Sequence, residues 1–134
     1  WIDSSGNIET FFWDIPDGQL FFMEIKHRNS ISTWSANGFN QFVNREFIYD
    51  FTMIPSTAFG NNMVLKGVRW CFYGGDVDQN GFIDGIDMGM VDNDAAIFSS
   101  GYIPTDLNGD NTIDATDLAI VDNNAMQFIS NIRP

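Results

Sequence analysis

The sequence predicts an α+β fold, with an antiparallel β-sandwich-like module over residues 1–73 followed by two loop-and-helix repeats over residues 74–134. Three observations predict it. Aromatic and β-branched runs, broken by Gly, Asn, Asp and Pro, fill the first seventy-odd residues. No helix-period pattern appears until after residue 84. From Asp76 onward the chain repeats itself, with Asp106 answering to Asp76 thirty residues on.

In the first half, strands are expected near residues 9–15, 19–27, 30–35, 46–52, 62–66 and 68–73. "PDG" at 16–18 supplies a turn. "QLFFMEIKHR" puts Leu20 and Phe22 on one side and Phe21, Met23 and Ile25 on the other, the pattern of a strand covered on both faces. In "EFIYDFT", Phe47, Tyr49 and Phe51 share a face against Glu46 and Asp50. In "GVRWCFYG", Val68, Trp70 and Phe72 oppose Arg69, Cys71 and Tyr73. The lone cysteine, Cys71, has no partner for an internal disulfide and reads as a small buried apolar residue.

In the second half, "DVDQNGFIDGIDMGMVDNDAAIF" aligns with "DLNGDNTIDATDLAIVDNNAMQF". So much identity at one spacing marks a duplication. After each acidic loop comes a helix of about twelve residues, striped by Met88, Val91, Ala95 and Phe98, or by Leu118, Val121, Ala125 and Phe128. Neither stripe can be buried within its own unit. The units should therefore pack on each other about a pseudo-twofold axis, joined by "SSGYIPT" at 99–105.

Charge is uneven. Residues 75–134 hold eleven Asp against Arg133 alone, whereas residues 1–74 hold seven acids and five bases, within a total net charge of −12. Such a surface repels phosphate backbones and anionic headgroups, which disfavours nucleic acid and membrane surfaces and leaves cations as natural partners. No apolar run reaches the roughly 18 residues of a spanning helix. A start at Trp1 fits a processed or excerpted protein, and an extracellular one better than a cytosolic one.

Counting each loop from its first Asp gives Asp76, Asp78, Asn80, Phe82, Asp84 and Asp87 at positions 1, 3, 5, 7, 9 and 12. The second loop places Asp106, Asn108, Asp110, Thr112, Asp114 and Asp117 there. This is the ligand spacing of a calcium loop: a hard ion taking six to eight oxygens at about 2.3–2.6 Å needs side-chain oxygens at alternate positions, a backbone carbonyl at 7 and a carboxylate at 12. Position 6 must turn sharply, which Gly81 does freely and Asn111 tolerates. Zinc would require softer or imidazole ligands, and magnesium a tighter octahedron, so two Ca²⁺ ions are expected. Ile83 and Ile113, at position 8, could pair the loops with each other. Asp92 and Asp122, in "VDN" one turn past position 12, read equally as support behind the ligands or as exposed helix acids.

On these residues the second half, about 74–130, resembles the dockerin module, a duplicated calcium-loop-and-helix unit of secreted bacterial proteins that lacks the entering helix of an EF-hand. The whole chain is also similar to the C-terminal portion of large exported bacterial surface proteins, through "KHRNSISTWSA", "AFGNNMV", "VDNDA" and "TDLNGD". The resemblance implies calcium binding and a protein partner. Dockerins that bind cohesin domains use loop positions 10 and 11, often Ser-Thr. Gly85-Ile86 and Ala115-Thr116 stand there, a departure that bears on cohesin docking and not on calcium.

A catalytic role is disfavoured, since the acids are committed to ion ligation and His27 has no nucleophile patterned around it. The expected function is a non-catalytic extracellular structural or interaction module stiffened by calcium. One alternative is a self-assembling protomer of a fibre or surface layer, adding strands through the "IETFFWDIP" edge; another is a cohesin-docking tail of a secreted enzyme.

Overall fold

A computed structural model describes residues 12 and 14–134. Among these residues the fold is a small α+β arrangement of two short antiparallel sheets and two α-helices. Strands β1 (Glu24–His27) and β2 (Ser30–Trp34) form one hairpin, with a bulge between Ile25 and His27. Strands β3 (Val64–Lys66) and β4 (Arg69–Cys71) form the other, turning through Gly67 at φ 61°. Helices α1 (Gly85–Ala96) and α2 (Ala115–Ala125) follow the acidic loops and pack on each other.

The β half is less regular than its side-chain alternation predicts. The expected strand at 9–15 lies largely outside the described residues, and the one at 19–27 is a ladder only from Glu24. Its outer face is open, with Leu20 and Phe22 exposed, so it is not covered on both faces. Residues 46–52 keep the alternation, Phe47, Tyr49 and Phe51 turning inward while Ile48 is 91% exposed, yet they form no ladder. Period two reports an extended, half-buried segment, and it does not supply a hydrogen-bonding neighbour. Here the Tyr49 hydroxyl anchors the segment, donating to the Thr57 carbonyl at 2.6 Å and accepting from Ala36 N–H at 3.1 Å. Val68 sits in the β3–β4 turn and is exposed, so it does not share a face with Trp70 and Phe72. Two separate hairpins thus stand where a sandwich is expected.

Two cores result. Phe51, Ala58 and Met63 are buried under Met23, Ile25, Tyr49, Trp70 and Phe72. The other core joins Val77, Ile83, Val91, Ile113 and Val121 from the second half to Ile31 from β2. Val91 and Val121 are the centres of the two helical stripes, and each such aliphatic side chain contributes about 1.5–3 kcal/mol on burial. Phe98 and Phe128 leave the stripes. The helices stop at Ala96 and Ala125, and both phenylalanines take a left-handed conformation, φ 56° and 53°, that carries their rings into solvent. The turns are alike: Ser99 N–H reaches back to Asp94 O at 2.9 Å, and Ile129 N–H to Asn124 O at 3.3 Å.

The loops do not pair through Ile83 against Ile113. Each pairs with the tail of the other unit. Ile83 N–H donates to Ile129 O at 3.0 Å and Asn131 N–H to Gly81 O at 2.8 Å. Thirty residues on, Ile113 N–H donates to Ser99 O at 3.2 Å and Gly101 N–H to Asn111 O at 2.9 Å. The flanking residues carry these bonds, so Phe82 and Thr112 form non-hydrogen-bonded bridge pairs with Ser130 and Ser100, and their own carbonyls turn away from the tails.

Candidate metal centre

The first loop is curled by its own side chains. Asn80 N–H donates to Asp78 Oδ1 at 3.0 Å and Phe82 N–H to Asn80 Oδ1 at 2.8 Å, two successive Asx turns that send alternate oxygens to the inside. Gly81 makes the sharp turn at φ 90°. Asp87, the position-12 acid, is fully buried at the first turn of α1: its Oδ1 accepts Val77 and Asp78 N–H at 2.7 and 3.2 Å, and its Oδ2 accepts Asp84 N–H at 2.9 Å. Asp76, also buried, accepts Gly81 N–H through Oδ2 at 3.1 Å. Its other oxygen, Oδ1, is buried without a hydrogen-bond partner.

Asp76, Asp78 and Asp87 bring carboxylate oxygens within 4.8 Å of one another, the single such group among the described residues. Burial is the main cause that pushes the Asp76 carboxyl up to about 6, with the Asp87 and Asp78 charges adding to it and the Gly81 N–H opposing it. A divalent cation fits this donor set, because every inward atom is a hard oxygen and the orphaned Asp76 Oδ1 lacks a donor that an ion would replace.

Asp84 is not part of that group. It is the N-cap of α1, accepting Ile86 N–H at 2.7 Å in a capping box with Asp87. Asp114 does the same for α2 with Thr116 N–H at 2.7 Å, and the Thr116 hydroxyl and N–H hold its carboxyl below the usual range. Position 9 of such loops often reaches the ion through water, which is compatible with a capping role.

The second loop repeats the plan with the same number of acids, carrying Asp at position 5 and Asn at position 3 where the first loop has the reverse. Asp110 N–H donates to Asn108 Oδ1 and Thr112 N–H to Asp110 Oδ1, both at 2.8 Å. Asn111 turns at φ 67°. Asp117 is fully buried and accepts Leu107 and Asn108 N–H at 2.7 and 3.1 Å and Asp114 N–H at 3.1 Å. Asp106 accepts Gly109 and Asn111 N–H at 2.8 and 3.3 Å. With Asn108 at position 3, the carboxylate trio of the first loop is not reproduced. Asp92 lies exposed on α1, and Asp122 half-buried on α2 beside Met88 and Leu118.

Sequence reasoning missed four residues that hold the loop entrances. Asp94 on α1 accepts the Thr105 hydroxyl at 2.6 Å, one residue before Asp106. Its counterpart Asn124 on α2 donates to Gly74 O at 2.7 Å, two residues before Asp76. Each helix therefore fixes the entrance of the loop that it does not follow. Arg28 and Asn29, in the β1–β2 turn, contact Asp106. Only Arg28 carried a signal, as one of six Lys and Arg residues in so acidic a chain.

The Asp76 carboxyl makes the metal-free protein pH-sensitive. A group whose folded value lies near 6, above the usual unfolded value of about 4, binds its proton more tightly when folded. Metal-free stability should therefore be lowest above pH 6 and rise as pH falls towards 5. Calcium should reverse the trend, since protons then compete with the ion. Thermal melts of stripped and calcium-loaded protein at pH 7 and pH 5 check this; parallel trends in the two forms would contradict it.

Residues 74–124 match the family model of the dockerin type I domain. The chain matches no curated protein and no solved structure. Dockerin domains are non-catalytic modules that bind calcium and a protein partner. The resemblance carried by the acidic loops thus holds over that part of the chain, and the match at residues 74–124 is consistent with a dockerin-type calcium-binding module.

Proposed function

We propose that the chain is a non-catalytic extracellular module in which two Ca²⁺ ions, one per loop, stabilise residues 74–134, with the β module of residues 1–73 docked beside them. The first ion would be held by Asp76, Asp78, Asn80, the Phe82 carbonyl and Asp87, with Asp84 reaching it through water. Asp106, Asn108, Asp110, the Thr112 carbonyl, Asp117 and Asp114 would do the same in the second loop. Asp92 and Asp122 remain candidates for support behind these ligands. The observation that carries the reading is Asp76 Oδ1, buried and unpartnered beside two further carboxylates. Two ions would offset four of the chain's twelve net negative charges.

An interaction role is supported by Phe98 and Phe128, each 89% exposed at equivalent places after the two helices. Bulky side chains seldom take positive φ, and here that conformation holds both rings in solvent. A protein that grips the two phenylalanines suits this surface better than a cohesin docked through Gly85-Ile86 and Ala115-Thr116, where the usual hydroxyl residues are mostly lacking. Self-assembly through "IETFFWDIP" rests on residues that lie largely outside the described ones. No helix among the described residues is long and apolar enough to cross a membrane.

Titration calorimetry with calcium tests the reading. Two ions per chain are expected, and an absence of uptake in a folded protein would refute it. Uptake of a single ion would confine the reading to the first loop.

A further inference from the structure

The turn between β1 and β2 is where the β half grips both loops. Asn29, buried, donates through Nδ2 to the Asp106 carbonyl at 2.8 Å, while its own carbonyl accepts Gly75 N–H at 2.7 Å, one residue before Asp76. Arg28 donates through one guanidinium nitrogen to the Ile103 carbonyl and through the other to the Asp106 carbonyl at 3.2 Å. Its Cζ lies 3.9 Å from the centroid of the Tyr102 ring, and Nη2 is 3.8 Å from Asp106 Oδ2. The first loop is thus met by backbone alone, and the second by two side chains.

We propose that Arg28 and Asn29 are positioning residues for the second calcium loop, lent to it by the β half. The inference rests on the calcium reading above. Both side chains take the Asp106 carbonyl, and the loop's own N–H groups take both carboxylate oxygens, so the residue is fixed at its backbone with its carboxylate turned into the loop. Held there, Asp106 need not be ordered when the ion arrives. A guanidinium also repels a divalent ion. With Nη2 only 3.8 Å from the Asp106 carboxylate, losing Arg28 weakens the second loop only if its grip on the two carbonyls outweighs that repulsion, so the sign of the change decides between them. The planar fork reaches the Ile103 and Asp106 carbonyls together, which an ammonium cannot do in the same geometry. The second loop's affinity therefore depends on a turn some 77 residues earlier in the chain, and the first loop's does not depend on these side chains.

The test is a calcium titration of the whole chain, following amide resonances of Gly81 and Asn111 as reporters of the two loops. In Arg28→Met the second loop is expected to need about tenfold more calcium, the size of effect seen when groups supporting metal ligands are removed. The first loop should half-saturate where it does in the parent chain. Arg28→Lys, which keeps the charge and loses the fork, should resemble Arg28→Met. If Arg28→Met does not fold, Asn29→Ala should show the same selective loss, about threefold, through removal of one bond to Asp106. An equal shift of both loops would reduce these residues to general structural support and overturn the proposal. So would an unchanged or tightened second loop, or full rescue by Arg28→Lys, which would make charge the cause. If neither loop of the parent chain responds to calcium, the functional reading itself falls, an outcome distinct from all of these.

Discussion

Stripping calcium with excess EGTA is expected to melt the helical half, with loss of most helical circular dichroism and a large fall in melting temperature. An ion at about a thousand times its dissociation constant stabilises a fold by about 4 kcal/mol, so two such sites approach the whole stability of an ordinary domain. The structure shows why little would replace them. Each loop carries four carboxylates, and the first has a buried carboxylate oxygen with nothing to bond. Without the ions, these charges repel across short distances in a partly dry setting. The β half has its own core around Phe51, Ala58 and Met63, yet Ile31 belongs to the core of the helical half. Loss of the ions should therefore loosen β1 and β2 while leaving the second hairpin more protected. An unaltered spectrum and melting curve in EGTA would defeat the expectation.

The second large effect separates two acids of the first loop. Asp87→Ala should abolish calcium uptake there and destabilise the chain by about 3–6 kcal/mol, because it deprives Val77, Asp78 and Asp84 N–H groups of their acceptor at a fully buried site. Asp84→Ala should cost about 1 kcal/mol, the value of an N-cap, and leave uptake in place. Denaturant unfolding in saturating calcium, with calorimetric counting of bound ions, measures both. The opposite ranking would exchange the roles of ligand and cap.

The curl of the loops was legible because Asp, Asn and Gly at fixed offsets build the Asx turns and the positive-φ turn, and a duplication displays those offsets twice. Gly81 and Asn111 do turn at positive φ, and Val91 and Val121 do centre the buried stripes. Helix ends were less legible. Phe98 and Phe128 continue the apolar spacing, but the backbone has already left the helix when they are reached. The β half was least legible, since alternation tells which side chains turn inward and not which strand lies alongside. Phe47, Tyr49 and Phe51 show this most plainly. Contacts such as Asn29 with Asp106 join residues 77 apart, with no local pattern to announce them.

The crossed pairing of loops and tails also sets how the chain would answer a mechanical pull. Tension drawn on residues 132–134 passes through Asn131 and Ile129 straight into Gly81 and Ile83, bypassing α2 and reaching the loop that holds Asp76, Asp78 and Asp87. A tether fastened at that end would be anchored by the earlier of the two repeats, with the later one carried as slack behind it.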